Sequence, residues 1–354
     1  MTKTVSKPLC GDFIASTLKQ SPLARQWRER AHLLETKDLS LDEISIELAL
    51  THYLKEGKAH RLPPLSILSD RTIITLFYEN STRTRSSFDL AARKLGATTL
   101  NLDVRTSSVS KGESLEDTAL NLHAMGADAV IMRHSQSGAP VELAQKMSGK
   151  LSVINAGDGS KAHPSQGLLD LYTILESLGH LPRLDEHGAV LDAVNDDTLR
   201  GKKIAIVGDI LHSRVARSNL WLLQALGAKV HFAGPKALLP EDFPVDEPGI
   251  ALHDTLEPAV ADADFIMALR IQLERQEEAL ISPEAYIAGY QVNHQTIAKA
   301  RPAVKILHPG PINRGIELTD ALADDHERSL VLRQVENGIL TRMSTLALIL
   351  GGHH

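Results

Sequence analysis

Hydroxyl side chains and arginines are interleaved in one short stretch of the sequence. The stretch consists of Ser81, Thr82, Arg83, Thr84 and Arg85. It follows an apolar run at residues 72–77, typical of a buried strand, and precedes a helical pattern at residues 88–95. Because hydroxyls, guanidinium groups and the N–H groups of a helix N-terminus would gather there, the stretch could bind an anion the size of phosphate. The alternative is that Ser81 only caps the helix and the arginines are solvated.

Further polar clusters directly follow other strand-like runs. They are Arg133 with His134, His163 with Gln166, Asp209 with Arg214, Arg270 with Gln272, and His308 with Gly310 and Pro311. In an open α/β sheet, ligands bind at the carboxyl ends of the strands, so these clusters predict a site there. Each cluster alone has an ordinary alternative, because an arginine can pair with a carboxylate and His163 can cap the helix that Pro164 begins.

A polar loop at residues 107–114 contains four serines and Lys111. It could be a lid that delivers Lys111 to an anion, or a surface loop whose serines cap the next helix. A nucleotide-binding protein is a poorer interpretation of the chain. Gly208 follows a strand-like run, but the sequence has neither the Gly-x-Gly-x-x-Gly spacing there nor a Gly-x-x-x-x-Gly-Lys-Ser/Thr loop.

These clusters require a scaffold in which strands and helices alternate. The strand-like runs are residues 72–77, 98–102, 129–132, 151–155, 203–207, 229–232, 265–269 and 304–307. Their alternation with helical patterns predicts an α/β fold of two doubly wound parallel-sheet domains joined by helices. Residues 181–199 are acidic and weakly periodic, and we interpret them as an insertion or loop on the second domain.

Composition limits the class of protein. The 354 residues suit two domains, and 43% hydrophobic with 23% charged residues is typical of a soluble globular chain. A net charge of −6 argues against a nucleic-acid or anionic-membrane partner. Cys10 is the only cysteine, which excludes an intramolecular disulfide. Without an 18-residue apolar run or a signal peptide, we expect a cytoplasmic protein.

The order and spacing of the clusters resemble those of the carbamoyltransferase family, in its aspartate branch, over residues 38–350. The matching motifs are Phe-Tyr-Glu-Asn-Ser-Thr-Arg-Thr-Arg at 77–85, Ser-Lys-Gly-Glu-Ser at 110–114, Arg-His at 133–134, His-Pro-Ser-Gln-Gly-Leu-Leu-Asp-Leu-Tyr at 163–172, Leu-Arg-Ile-Gln at 269–272 and His-Pro-Gly-Pro-Ile-Asn-Arg-Gly at 308–315. The first motif marks the whole family and the last two mark the aspartate branch. The ornithine branch carries His-Cys-Leu-Pro where this chain has residues 308–311, which argues against ornithine as the acceptor.

The resemblance implies transfer of a carbamoyl group from carbamoyl phosphate to L-aspartate, the committed step of pyrimidine synthesis, without a metal or organic cofactor. It assigns carbamoyl phosphate to Ser81, Thr82, Arg83, Thr84, Ser107, Arg133, His163, Gln166, Gly310 and Pro311. It assigns L-aspartate to Lys111, Arg214, Arg270 and Gln272. The residues expected to take part in catalysis are Arg83, Thr84, Lys111, Arg133 and His163.

The resemblance also implies domains and assembly. Residues 1–30 would be an N-terminal extension, 31–166 the carbamoyl-phosphate domain, 167–325 the aspartate domain and 326–350 a helix returning to the first domain. The active site would lie between the domains, and a homotrimer would share its sites between neighbouring subunits. Relatives pair with a regulatory chain or with dihydroorotase, and the sequence favours neither. Two alternatives stay open: another amino-acid acceptor, and a non-catalytic scaffold.

Overall fold

A computed structural model describes residues 11–103, 113–271 and 280–352 of the chain. The chain divides into two compact units, the first formed by Met1–Val194 with Glu336–His354 and the second by Asn195–Val335. The predicted boundary at 166–167 falls inside a helix that packs on the sheet of the first unit, and the whole helix therefore belongs to that unit. The functional assignment of the domain ranges stays a prediction.

The first unit is built around a parallel sheet. Its elements are α1 (Gly11–Gln20), α2 (Pro22–Arg30), α3 (Leu41–Glu56), β1 (Thr72–Phe77), α4 (Thr82–Lys94), β2 (Thr98–Asp103), α5 (Leu115–Ala124), β3 (Ala129–His134), α6 (Ala139–Lys146), β4 (Ser152–Asp158), α7 (Pro164–Leu178), β5 (Arg183–Leu184) and β6 (Val190–Leu191). The sheet has the strand order β2-β1-β3-β4, with every neighbouring pair parallel. The strands are mostly apolar because parallel sheets are covered on both faces, and Ile73, Leu76, Val130 and Ile154 are completely buried.

The N-terminal segment, which the sequence analysis predicted to be an extension, contains two helices of the first unit. Residues 11–30 form α1 and α2, where Trp27 is completely buried and donates a hydrogen bond from its indole nitrogen to the Glu43 carbonyl. Burial of one tryptophan removes a large apolar area from water, which holds α2 against α3. The predicted extension thus contributes to the core of the first unit.

The interpretation of residues 181–199 as an insertion or loop on the second domain is wrong for residues 181–194, which belong to the first unit. The segment contains the antiparallel hairpin β5–β6, which belongs to the first unit and packs against α3. Val194 also donates a backbone hydrogen bond to the buried Ser45 hydroxyl of α3. Strands of two residues are too short to show any periodicity in the sequence, which is why the pattern indicated a loop.

The second unit contains a larger parallel sheet. Its elements are β7 (Lys203–Val207), α8 (Arg214–Ala225), β8 (Lys229–Ala233), β9 (Ile250–His253), α9 (Glu257–Val260), β10 (Phe265–Ala268), α10 (Pro283–Tyr290), α11 (His294–Ile297), β11 (Lys305–Leu307), α12 (Asp320–Ala323) and the beginning of α13 (Val331–Leu350). The sheet order is β11-β10-β7-β8-β9, again with parallel neighbours. The strands predicted in both units are confirmed. In the second unit β9 was missed, because this edge strand is four residues long and half-buried.

No helix among the described residues is both long and apolar enough to cross a membrane. Within the same residues, no group of three or more His, Cys, Asp or Glu side chains is arranged to hold a metal ion.

Candidate active site

The sheet of the first unit brings three of the predicted clusters to one edge. Strands β1, β3 and β4 are parallel neighbours, so their carboxyl ends lie side by side. Ser81–Thr84 follow β1, Arg133 lies at the end of β3, and His163 follows β4. The chain continues from β1 to β2 on one side and then to β3 on the other, so the strand order reverses between β1 and β3. Such a topological switch point is where open α/β sheets bind their ligands.

The Ser81 hydroxyl does not cap the helix that follows it. Ser81 occupies the N-cap position of α4 with an extended backbone, yet its side chain makes no capping hydrogen bond. In contrast, Ser40 and Ser213 each accept a backbone N–H of their own helix. Thr84 is buried in the first turn of α4, while Arg83 is exposed. The hydroxyl and the first N–H groups of α4 can therefore serve an anion, which favours the anion-binding interpretation over simple capping.

Arg133 is held beside this helix terminus by a residue to which the sequence analysis gave no role. Its Nη2 donates to Glu79 Oε1 at 2.8 Å and its Nη1 to the Ala156 carbonyl at 3.3 Å. The Arg133 side chain is 11% exposed. In addition, Tyr78 N–H donates to the Arg133 carbonyl at 2.9 Å. Glu79 could have been singled out as the only acid within the Ser/Thr/Arg motif.

His163 and Gln166 begin α7. His163 is the N-cap residue, 4% exposed, and like Ser81 it makes no side-chain capping hydrogen bond. Gln166 Nε2 donates to Asp170 Oδ1 at 2.9 Å, one helical turn further on. Because an ionised carboxylate only accepts, this contact fixes the orientation of the amide and leaves Gln166 Oε1 as its acceptor atom.

Two completely buried polar residues hold the turn that leads to His163. Asn155 Nδ2 donates to Asp158 Oδ1 at 2.8 Å, and the same Asp158 atom accepts Ala162 N–H at 3.1 Å. Asp158 Oδ2 accepts Gly138 N–H at 2.7 Å. These bonds tie β4, the turn after it and the start of α6 together, which fixes where α7 and its N-cap begin.

A buried arginine lies behind α4 and α7. Arg342 of α13 donates from Nη1 to Ser87 Oγ of α4 at 2.9 Å, and its guanidinium stacks over Phe88 at 5.0 Å. Burial lowers the pKa of Arg342 to about 10, and the negative charge of Asp170 opposes that shift. The side chain therefore stays charged at neutral pH, where it is hydrogen-bonded to the helix after the hydroxyl motif and is stabilised electrostatically by Asp170, the partner of Gln166.

The second unit shows the same arrangement for the other predicted clusters. Strands β7, β10 and β11 are followed by Arg214, Arg270 and the Gly310–Pro311 segment, respectively. The order β11-β10-β7-β8-β9 reverses between β7 and β10, so the two arginines follow the strands on either side of a switch point. The backbone after β7 approaches the backbone after β10 closely there. A Cβ at Gly208, which has a φ of +139°, would lie only 2.6 Å from the Leu269 carbonyl oxygen.

Arg214 begins α8 and is itself 5% exposed. Ser213 caps the helix by accepting Ala216 N–H at 3.1 Å. The turn before it is held by the completely buried Asp209, whose Oδ1 accepts His212 N–H at 3.1 Å and lies 2.9 Å from His212 Nδ1. One buried carboxylate thus fixes the backbone that precedes Arg214.

Three predicted site residues, Ser107, Lys111 and Gln272, lie outside the described residues. The other predicted residues fall into two groups, one at the carboxyl ends of the strands of each sheet.

Comparison with known proteins gives this arrangement a family. Residues 31–176 match the model of the aspartate/ornithine carbamoyltransferase carbamoyl-P binding domain, and residues 200–349 match that of the Asp/Orn binding domain. The aspartate carbamoyltransferase catalytic subunit of Thermosynechococcus vestitus is 46% identical over 333 residues, which cover 93% of this chain and 96% of that protein. The chain belongs to the aspartate/ornithine carbamoyltransferase family. The resemblance inferred from the motifs is confirmed.

Solved structures agree with this membership. Aspartate transcarbamoylase of Trypanosoma cruzi, in complex with carbamoyl aspartate and phosphate, has a TM-score of 0.76 and 28% identity, covering 90% of this chain and 96% of that one. Ornithine carbamoyltransferase of Pyrococcus furiosus has a TM-score of 0.77 and 28% identity, covering 91% and 98%. The carbamoyltransferase fold is thus common to both branches, and the acceptor has to be inferred from side chains and closer relatives.

Proposed function

We propose that this carbamoyltransferase transfers the carbamoyl group of carbamoyl phosphate to the amine of L-aspartate, giving N-carbamoyl-L-aspartate and phosphate, within pyrimidine synthesis in the cytoplasm. The observation that carries the choice of acceptor is the position of Arg214 and Arg270, which follow the two strands on either side of the second switch point. Two guanidinium groups suit a dicarboxylate and would repel the cationic side chain of ornithine.

The first unit would bind the donor. Ser81, Thr82, Arg83 and Thr84, at the N-terminus of α4, would hold the phosphate together with Ser107 and Arg133. Hydrogen bonds to a charged group of this kind contribute about 1.5–3 kcal/mol each. Support comes from the Ser81 hydroxyl, which makes no capping bond, and from Glu79, which holds Arg133 at the adjacent strand end.

The carbamoyl group needs donors for its oxygen and acceptors for its amide. Thr84, Arg133 and His163 would donate to the carbonyl oxygen, which becomes an oxyanion when the amine attacks. Loss of one such donor raises a barrier by about 2.7–4 kcal/mol. Gln166 Oε1 and the backbone carbonyls at Gly310 and Pro311 would accept from the carbamoyl NH₂ group.

The chemistry is a substitution at the carbonyl carbon. The neutral amine of aspartate forms the new N–C bond, the C–O bond to phosphate breaks, and the departing phosphate takes the amine proton. Arg214, Arg270, Gln272 and Lys111 would hold the carboxylates of aspartate. Because the donor is already activated, the protein contributes mainly positioning, worth up to about 7–11 kcal/mol, and oxyanion stabilisation.

The assembly is part of the same proposal. We propose a homotrimer in which Ser107 and Lys111 of one subunit complete the site of its neighbour, and to which a regulatory chain or dihydroorotase could bind. Family resemblance alone supports this part.

The test is phosphate release from carbamoyl phosphate with a panel of acceptors: L-aspartate, L-ornithine, N-acetyl-L-ornithine and L-glutamate. Turnover with aspartate alone is expected. Turnover with a different acceptor would replace the aspartate assignment, and no turnover with any acceptor by a folded, phosphate-binding protein would favour the scaffold alternative.

A further inference from the structure

A completely buried histidine–glutamate pair lies behind the Gly310–Pro311 segment of the second unit. The His308 and Glu317 side chains are both 0% exposed, and His308 Nε2 lies 3.1 Å from Glu317 Oε1. Neither residue belongs to the substrate-binding set of the proposed function. Both flank that set, because His308 precedes Gly310 by two residues and Glu317 follows Pro311 by six.

The contacts around His308 define its protonation. Gly310 N–H donates to His308 Nδ1 at 2.7 Å, so Nδ1 is the acceptor nitrogen of the ring. The proton of a neutral imidazole then resides on Nε2 and is donated to Glu317. His308 N–H donates to Gln334 Oε1 at 2.9 Å, which anchors the histidine backbone as well.

Glu317 closes the turn from its other end. The oxygen that accepts from His308, Oε1, also accepts Asn313 N–H at 2.6 Å. Glu317 Oε1 therefore links the Asn313 amide, after Pro311, to the His308 ring. The other nitrogen of that ring accepts the Gly310 amide, before Pro311. Gly310 itself has a φ of +67°, in the left-handed region that favours glycine.

A gain in folding stability does not explain why Glu317 is buried. Removing a carboxylate from water costs several kcal/mol, and well-packed apolar residues of similar volume are often as stabilising as a buried ion pair. Arg314, by contrast, reaches Asp320 and Asp324 through half-exposed contacts on the same turn, at far lower desolvation cost. Glu317 Oε1 accepts two hydrogen bonds, and both come from residues of this turn. We therefore attribute to Glu317 a role in fixing the geometry of the turn.

We infer that Glu317 is a positioning residue, which acts through His308 and the Asn313 amide to hold the backbone carbonyls at Gly310 and Pro311 where they accept from the carbamoyl NH₂ group. The inference rests on the proposed function for its substrate. Its geometry is independent of that function, because every contact involved lies within the second unit.

The decisive comparison is between Glu317→Gln and Glu317→Leu. With its oxygen at the Oε1 position, glutamine can accept from both His308 and Asn313, and its NH₂ displaces no bond because Glu317 Oε2 has no hydrogen-bond partner among the described residues. Leucine keeps the volume and removes both bonds. Asp320→Asn, at the exposed acid on the same segment, is the matched control.

We expect Glu317→Leu to lower kcat about 100-fold, the size of effect that a misplacement of about 1 Å can have. Glu317→Gln should stay within about threefold of wild type and Asp320→Asn should be unchanged. Inhibition by inorganic phosphate, which probes the first unit, should be the same in all four proteins. Equal loss in the glutamine and leucine variants would overturn positioning in favour of a need for the negative charge.

Hydrogen–deuterium exchange of the substrate-free proteins separates this inference from the proposed function. The amides of Gly310 and Asn313 should exchange faster in Glu317→Leu than in wild type or Glu317→Gln. Unchanged exchange in the leucine variant would sink the inference even if the wild type is an active carbamoyltransferase. Faster exchange in a protein that lacks carbamoyltransferase activity would instead count against the proposed substrate only.

Discussion

Glu79 Oε1 accepts a hydrogen bond from Arg133 Nη2 at 2.8 Å, and this bond joins the segment after β1 to the end of β3. The two residues are 54 positions apart in the chain but lie at adjacent strand ends, because Phe77 pairs with Arg133 in the sheet register. The arginine proposed to bind the carbamoyl and phosphate oxygens is therefore oriented by an acid of the phosphate motif itself.

Glu79→Gln should weaken the hydrogen bond that orients Arg133 without removing any residue proposed to contact the substrate. We expect kcat/KM for carbamoyl phosphate to fall about tenfold, because a charge-assisted hydrogen bond on a partly exposed pair becomes a neutral one. Steady-state kinetics against carbamoyl phosphate measure the effect. Glu116→Gln, which breaks an exposed pair with Lys146 in the same unit, is the control and should change nothing. Equal kinetics for the two variants would show that Arg133 needs no such support.

Arg83→Ala should nearly abolish turnover while the protein stays folded. Arg83 is exposed in the first turn of α4, so its removal leaves no cavity and the melting temperature should hardly move. The loss of a guanidinium–phosphate contact should cost at least about 100-fold in kcat/KM. Arg93→Ala, at the other end of α4 in an exposed pair with Asp89, is the control. Near-normal activity of Arg83→Ala would remove the anion-binding interpretation of the motif.

The sequence was sufficient to predict the layout of the site because parallel α/β architecture ties function to strand ends. An apolar run that ends at Phe77, Val207 or Leu307 predicts the carboxyl end of a strand, and ligand-binding residues follow these ends in open α/β sheets whatever the strand order. The strand order was not readable from the sequence. The switch points, which decide that Arg133 adjoins the motif after β1 and that Arg270 adjoins the turn after β7, emerge only from the fold.

Residues that act on other residues were not predictable in the same way. Glu79 has no recognisable spacing relative to Arg133, nor Glu317 relative to His308, because these pairs are set by tertiary contacts. The one exception is Asp170, four residues after Gln166 in a predicted helix, which a search for i,i+4 polar pairs could have found.

Arg270→Ala should raise the KM for aspartate far more than that for carbamoyl phosphate. Arg270 follows β10 in the second unit, whereas the phosphate motif lies in the first. Initial rates with each substrate varied at saturation of the other give both constants. The control is Arg301→Ala. Arg301 is 54% exposed and precedes β11, at the amino ends of the strands of the same sheet, so its removal should leave both KM values unchanged. A parallel rise in both constants would contradict a role limited to aspartate.

Stability should depend on pH through Glu47, a completely buried acid of α3. Burial raises the pKa of Glu47 from 4.5 to about 8, and the hydrogen bond from Thr51 opposes the shift. Between these values the folded chain holds a proton that the unfolded chain has lost, so the free energy of unfolding falls as the pH rises through this window. Glu47→Gln mimics the neutral acid, and it should match wild type near pH 5 and exceed its melting temperature by several degrees above pH 8.

The control for Glu47 is Glu43 on the same helix, where the sign is reversed. Burial raises the pKa of Glu43, but hydrogen bonds from Arg30 and Ser40 outweigh it and the net shift is downward. Glu43→Gln should therefore be less stable than wild type at neutral pH and approach it in acid. Melting curves from pH 4 to 9 compare the three proteins, and parallel curves for Glu47→Gln and wild type would show that Glu47 is ionised in the folded protein.

The last prediction concerns the proposed sharing of active sites. Lys111→Ala and Arg83→Ala should each be inactive alone, because each removes a cation expected to contact substrate. If Lys111 of one subunit completes the site that contains Arg83 of its neighbour, a mixed trimer contains sites in which both side chains are intact. Mixing the two variants after partial dissociation should then restore a fraction of wild-type activity. Native mass spectrometry verifies the exchange of subunits, and two Arg83→Ala preparations mixed in the same way are the control. Exchanged mixtures that stay inactive would mean that each Lys111 serves its own subunit, with the chemistry assigned to Arg83 unaffected.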